Sequence, residues 1–194
     1  EPLVEKIMKL FDLGQAEELA RKLMERGGGS AEPGQLAAWM DQSAGGGTFK
    51  SRLSAARMFG LIGSDREIVR ITDDGREVLD PDKAAAVRAK AFLRVPLFEA
   101  MFQKNCGYAL PPAAAIERQM LELGVPAKQK ERARQFFMKS ASTAEYIDPA
   151  SGRLVKPATA TGHRDEPPPA PPPGESARGG GGGGRRDHQP ARLA

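Results

Sequence analysis

Few residues of this 194-residue chain are of a type that does chemistry. There are two histidines and one cysteine, and Asp73-Asp74 and Asp80/Asp82 are the carboxylates that could be taken as acid/base pairs. Both histidines, His163 and His188, lie in a Pro/Gly-rich C-terminal stretch, so the part able to build a core has none. That removes Ser-His-Asp hydrolysis, Cys-His nucleophiles and His-ligated zinc together. Cys106 has no base beside it in the sequence and reads as structural or incidental. A single cysteine excludes an intramolecular disulfide and any multi-thiolate metal site. The aspartate pairs read as helix caps rather than an acid/base couple. The run GGGTFKS ends in Lys-Ser like a phosphate-binding loop, yet Ala44 and Phe49 stand where that motif needs glycine. No catalytic residue, cofactor or metal ligand is therefore expected, and the chain reads as a binding module rather than an enzyme.

The remaining candidates are cationic. A helix expected over residues 49–60 (FKSRLSAARMFG) turns Phe49, Leu53, Ala56 and Phe59 to one face. Lys50, Ser51, Ser54, Arg57 and Met58 lie opposite, with Arg52 at the flank. The segment has three cations and no anion. Such a face can neutralise phosphates or read guanine edges, and serine can bond to either. Arg52, with Arg66 and Arg70 of a short hairpin that comes next, is expected to contact the phosphates of a nucleic-acid backbone. A second basic helix is expected over 127–144, with Lys128, Lys130, Arg132, Arg134 and Lys139.

The elements that would hold these residues can be read from apolar spacing and breakers. Leu3, Ile7, Leu10 and Phe11 predict a helix over 2–11, interrupted at Gly14. Leu19, Leu23, Ala16 and Ala20 predict a second over 15–25, ended by the glycines at 27–29. Pro33 opens a short third at 33–41, presenting Leu36, Trp39 and Met40. The glycines at 45–47 break the chain again, and Thr48 is the expected cap of the basic helix. Leu61-Ile62, a GSDR turn and EIVRIT predict a hairpin. Thr72 or Asp73 caps a short helix returning Val78 and Leu79 to the core. Helices are then expected at 81–94, 96–105, from Pro111-Pro112 to Leu123, and from Pro126 to Ala144. Phe92, Phe98, Met101 and Phe102 are expected in the core, and Tyr146-Ile147 with Arg153–Val155 is expected to pair as a second hairpin.

Three helices and then a hairpin is the winged helix-turn-helix order, in which the third helix enters the major groove and the wing touches the backbone or minor groove. The block GTFKSRLSAARMFGLI (47–62) with IVRITDDGREVL resembles bacterial winged-helix regulators, whose third helix commonly runs into GLI and whose wing returns as LT..G. With AFLRVPLFEAMF, LPP, LGV and RLVKP, residues 35–157 resemble a bacterial and archaeal winged-helix-like family described only as a domain of unknown function. The resemblance implies the fold more than an activity. The chain differs from the regulators in Ile71, a very short wing and extra glycines before the third helix.

The expected architecture is thus mainly α with short β-hairpins. A winged-helix domain spans 1–80. A helical unit, or a second, degenerate winged helix, spans 81–156, and a disordered tail spans 157–194. Eight prolines and eight glycines, with no aromatic, leave that tail unable to offset its chain entropy. Its PPPAPPP run suits polyproline II and could dock on an aromatic groove. Net charge is −3 over 1–83, +6 over 84–156 and +1 in the tail. This asymmetry points to an anionic partner. The expected partners are double-stranded DNA through the 49–60 helix, or alternatively a second copy or another protein, with no catalysis in either case. No apolar run is long enough for a membrane span, and no signal peptide opens the chain. A cytoplasmic location is expected. The chain starts at Glu1 rather than Met, which is compatible with a natural N-terminus further upstream.

Overall fold

The structure, a computed structural model, describes residues 11–160. The helix expected over 2–11 therefore lies outside the described residues except for Phe11, and so does the tail from residue 161. The described residues fall in one compact unit. It is mainly helical, with one small three-stranded antiparallel sheet.

Helix α1 (Leu13–Gly27) starts where the Asp12 side chain accepts a hydrogen bond from Gln15 N at 3.0 Å. It stops at Gly28, in the left-handed region with φ 56°, whose N–H reaches Leu23 O. Gly14, expected as an interruption, instead sits in the first turn. The aspartate cap defines the start, and a glycine so close to the end costs little cooperativity. Leu13, Ala16, Leu19, Ala20 and Leu23 form the buried stripe.

The chain next makes a strand that the sequence pattern does not predict. β1 (Ser30–Ala31) pairs with β3, Ser30 opposite Arg70 and Ala31 opposite Val69. Two residues carry no legible alternation, and the pairing is supplied by a strand almost forty positions away. Helix α2 (Pro33–Trp39) opens with proline and a capping box between Glu32 and Gln35, and is slightly shorter than expected.

Helix α3 (Gly47–Met58) is the expected basic helix. Its N-cap is Gly46, with no side-chain capping bond, and Thr48 is already helical. Phe49, Leu53, Ala55, Ala56 and, just past the helix, Phe59 are buried. β2 (Ile62–Asp65) and β3 (Ile68–Ile71) form the hairpin, with Asp65 opposite Ile68 and a two-residue turn whose Arg66 has φ 54°. The sheet order is β1-β3-β2.

Thr72 caps the short helix α4 (Asp73–Glu77), accepting from Gly75 N at 3.0 Å and donating to Gly60 O at 2.7 Å. Gly75 is obligatory by contact: a Cβ there would run into the carbonyl of Leu61 and come within 2.7 Å of Ile71 Cγ1.

Helices α5 (Ala84–Leu93), α6 (Pro96–Asn105), α7 (Ala113–Glu122) and α8 (Lys130–Thr143) complete the unit. α5 starts at Ala84 rather than Pro81, because Asp80 Oδ1 turns the chain by accepting from Asp82 N. Residues 127–129 are a 3₁₀ turn before α8. The expected pairing of Tyr146-Ile147 with Arg153–Val155 is present in short form, as an antiparallel bridge between Ile147 and Leu154 with Asp148 N bonding to Arg153 O at 3.0 Å and Val155 N to Tyr146 O at 2.8 Å. The 105–110 segment adds to the other edge of the same stretch, with Gly107 N bonding to Leu154 O at 2.7 Å and Leu154 N to Tyr108 O at 3.2 Å.

The core runs across residue 80 without a break. Phe92 stacks on Tyr146 at 4.5 Å and Phe98 at 5.3 Å, and Phe98 meets Phe59 at 6.2 Å. Leu13 N donates to Ser140 Oγ, and Glu17 of α1 forms a bidentate pair with Arg88 of α5 at 2.7 and 2.9 Å.

Candidate nucleic-acid interface

The face of α3 opposite Phe49 and Leu53 is open to solvent. Lys50 and Arg57 are exposed, and Ser51 and Ser54 are half-buried. Positions 50, 54 and 57 recur at i, i+4 and i+7, so Lys50, Ser54 and Arg57 form one stripe along the helix. Among the described residues, neither Lys50 nor Arg57 has a carboxylate or aromatic partner. The buried stripe sets this orientation: with Phe49, Ala56 and Phe59 almost inaccessible, these charges must face out.

Arg52 behaves differently. Its side chain is only 18% exposed and reaches Glu18 of α1 at 3.8 Å. Its guanidinium lies 5.6 Å from the Phe11 ring centre, while its Nε is buried without a hydrogen-bond partner. Arg132 of α8 lies over the same ring at 5.8 Å and over Phe136 at 5.2 Å, and Phe11 stacks on Phe136 at 5.8 Å. Arg52 thus ties α3 to α1 and, through Phe11, to α8. It is not part of the free stripe.

The hairpin presents Arg66 at its turn and Arg70 on its exposed side. Arg70 Nε lies 3.5 Å from Asp65. Asp65, Arg66, Glu67 and Arg70 leave the hairpin with no net charge. Arg66 is exposed and unpaired among the described residues.

The basic helix α8 is largely engaged inside the unit. Lys130 and Arg134 both hold Glu117 of α7, at 3.1 and 3.0 Å. Their hydrogen bonds, Lys130 first, push the Glu117 carboxyl below its ordinary range. Lys139 lies 4.0 Å from Asp12.

A second engaged cluster secures the far end of α3. Asp74 of α4 receives Lys90 at 2.9 Å and Arg94 at 2.6 Å. Arg94 also reaches the carbonyl of Phe59, the residue ending α3, at 3.5 Å. The sequence reads Asp74 as part of a cap; Thr72 takes that role and frees the Asp74 carboxylate. No spacing rule links residue 74 to residues 90 and 94, nor residue 11 to residue 52, so sequence reasoning has no signal for these contacts. Phe92, Phe98 and Met101 are fully buried, and Phe102 packs against the core.

Cys106 is exposed. Among the described residues, no group of three or more His, Cys, Asp or Glu side chains could hold a metal ion, and no helix is long and apolar enough to cross a membrane. No protein-family model matches the chain, and neither the curated proteins nor the solved structures yield a match.

Proposed function

We propose that residues 11–80 form a winged helix that binds duplex DNA, with α3 as the reading helix, in a non-enzymatic regulatory protein of the cytoplasm. The order α1, β1, α2, α3, β2, β3 is consistent with that fold. One observation carries the DNA reading. Among the described residues Lys50 and Arg57 stand exposed without ion-pair partners on one acid-free stripe of α3, whereas Arg52 of the same helix is taken up by Glu18. In this reading Lys50, Ser54 and Arg57 face the major groove, Ser51 lies beside them, and Arg66 and Arg70 approach the backbone. Arg52 acts indirectly, by holding the helix.

Fluorescence anisotropy of a labelled random duplex with the full chain tests this at low and moderate salt. Affinity should fall steeply with salt, by about 0.9 in log–log slope for each phosphate neutralised. Lys50→Gln with Arg57→Gln should flatten that slope by about two contacts. Binding unchanged by the pair of substitutions overturns the site.

The hairpin's lack of net charge favours a second reading, in which the same scaffold pairs with another copy or another protein. It requires a dimer or hetero-complex in light scattering and no salt-sensitive affinity for duplex DNA.

A further inference from the structure

The last turn of α3 is closed by a residue from the other half of the chain. A helix leaves its final carbonyls without intrahelical partners, and the negative end of its dipole favours a cation there. At the end of α3 the Arg94 guanidinium meets Phe59 O at 3.5 Å. Gly60 follows with φ 78°, and a Cβ on it would collide with the same guanidinium. Arg94 thus fills the space that a side chain at residue 60 would need. Its backbone ends α5, with its N–H on Ala91 O at 3.1 Å. Asp74 of α4 holds its side chain at 2.6 Å and also receives Lys90.

The hold on Gly60 reaches the stripe of α3. Gly60 N bonds to Arg57 O at 3.0 Å, and Leu61 N bonds to Ala56 O at 3.0 Å. Arg57 therefore stands on the turn that Arg94 closes, whereas Lys50 stands in the first turn of the helix. We propose that Arg94 is a positioning residue for duplex binding: it fixes the last turn of α3 and, through that turn, the approach of Arg57 to the DNA. Asp74 serves the same end by holding the guanidinium in place. The inference rests on the DNA reading of α3 and adds to it a dependence on residues 74 and 94, which lie outside the stripe.

Arg94→Lys keeps the charge but replaces the planar fork with a point charge that cannot span Asp74 and Phe59 O. In the full chain, with the labelled random duplex, it should weaken binding about fivefold and leave the salt slope unaltered. In an Arg57→Gln background the same substitution should have almost no effect, whereas with Lys50→Gln its full effect should persist. Asp74→Ala tests the sign. Removing a carboxylate beside two cations favours a polyanion by charge alone, yet this variant should bind more weakly. Amide exchange at Gly60 and Leu61 should quicken in both variants. Affinity unaltered by Arg94→Lys, an equal loss in the Arg57→Gln background, or tighter binding by Asp74→Ala overturns this proposal and leaves the DNA reading standing. No duplex binding by the unsubstituted chain overturns the DNA reading, and this proposal with it.

Discussion

The contrast between Arg52 and its neighbours Lys50 and Arg57 shows how position on one helix gives the same charge opposite surroundings. Arg52 lies at the flank, where α1 supplies Glu18 and the Phe11 ring stands close by. Lys50 and Arg57 face solvent. The internal pairs have their own consequences. Glu17 is buried on the apolar face of α1 and is matched by Arg88. Arg88→Met should leave that carboxylate uncompensated and cost about 3 kcal/mol, measured by urea unfolding. Burial also pushes the Tyr146 phenol up to about 12, with the neighbouring Cys106 adding to it. A phenol raised above its unfolded value stabilises the fold fully below about pH 10 and loses that contribution as pH rises towards 12. Tyrosinate absorbance from Tyr146 should therefore emerge together with loss of structure in an alkaline titration. Phenylalanine at this position should lose the bond to Ala89 O and remove that alkaline dependence.

At the scale of elements, the junction of hairpin and α4 depends on contacts too tight for a side chain. Thr72 joins Gly60 O to Gly75 N, and Gly75 lies against the Leu61 carbonyl. Gly75→Ala should destabilise by about 3 kcal/mol, since the obstruction is backbone and cannot rotate away. Thr72→Ala should cost about 1 kcal/mol through the lost cap. Thermal denaturation monitored by circular dichroism separates the two magnitudes. The α7–α8 contact responds to acid instead. Glu117 is held below its usual range by Lys130 and Arg134, so its contribution is present above pH 4.5 and disappears as pH falls through the lowered value. Glu117→Gln should flatten the acid limb of the stability profile and leave the neutral-to-alkaline limb in place. Much of this level is legible in the sequence. Prolines 33 and 96, the apolar stripes and the Thr72 cap predict α2, α6, α1, α3 and α4 close to their observed limits. β1 and the pairing of Leu154 with the chain at Cys106 are not legible, because both depend on which distant backbone supplies the hydrogen bonds.

Across the whole molecule, the aromatic cluster of Phe59, Phe92, Phe98, Phe137 and Tyr146 passes through both halves. Residues 11–160 should consequently unfold in one transition. Fluorescence of Trp39, the chain's single tryptophan, reports the first half, and near-ultraviolet dichroism weighted by Tyr146 reports the second. Their denaturation midpoints should coincide. Two separated midpoints would show that residues 11–80 fold apart from residues 81–160.

The chain by itself determined the helical character, the small hairpin, the apolar stripes and the outward placement of Lys50, Ser54 and Arg57. Each arises from periodicity and breakers acting over a few residues. Tertiary structure decided which cations are free and which are consumed. It brought Glu18 and Phe11 to Arg52, Asp74 to Lys90 and Arg94, and Glu117 to Lys130 and Arg134. Charge pairing is set by distance in space, and local periodicity carries no record of the partner an element meets after the chain has turned back on itself.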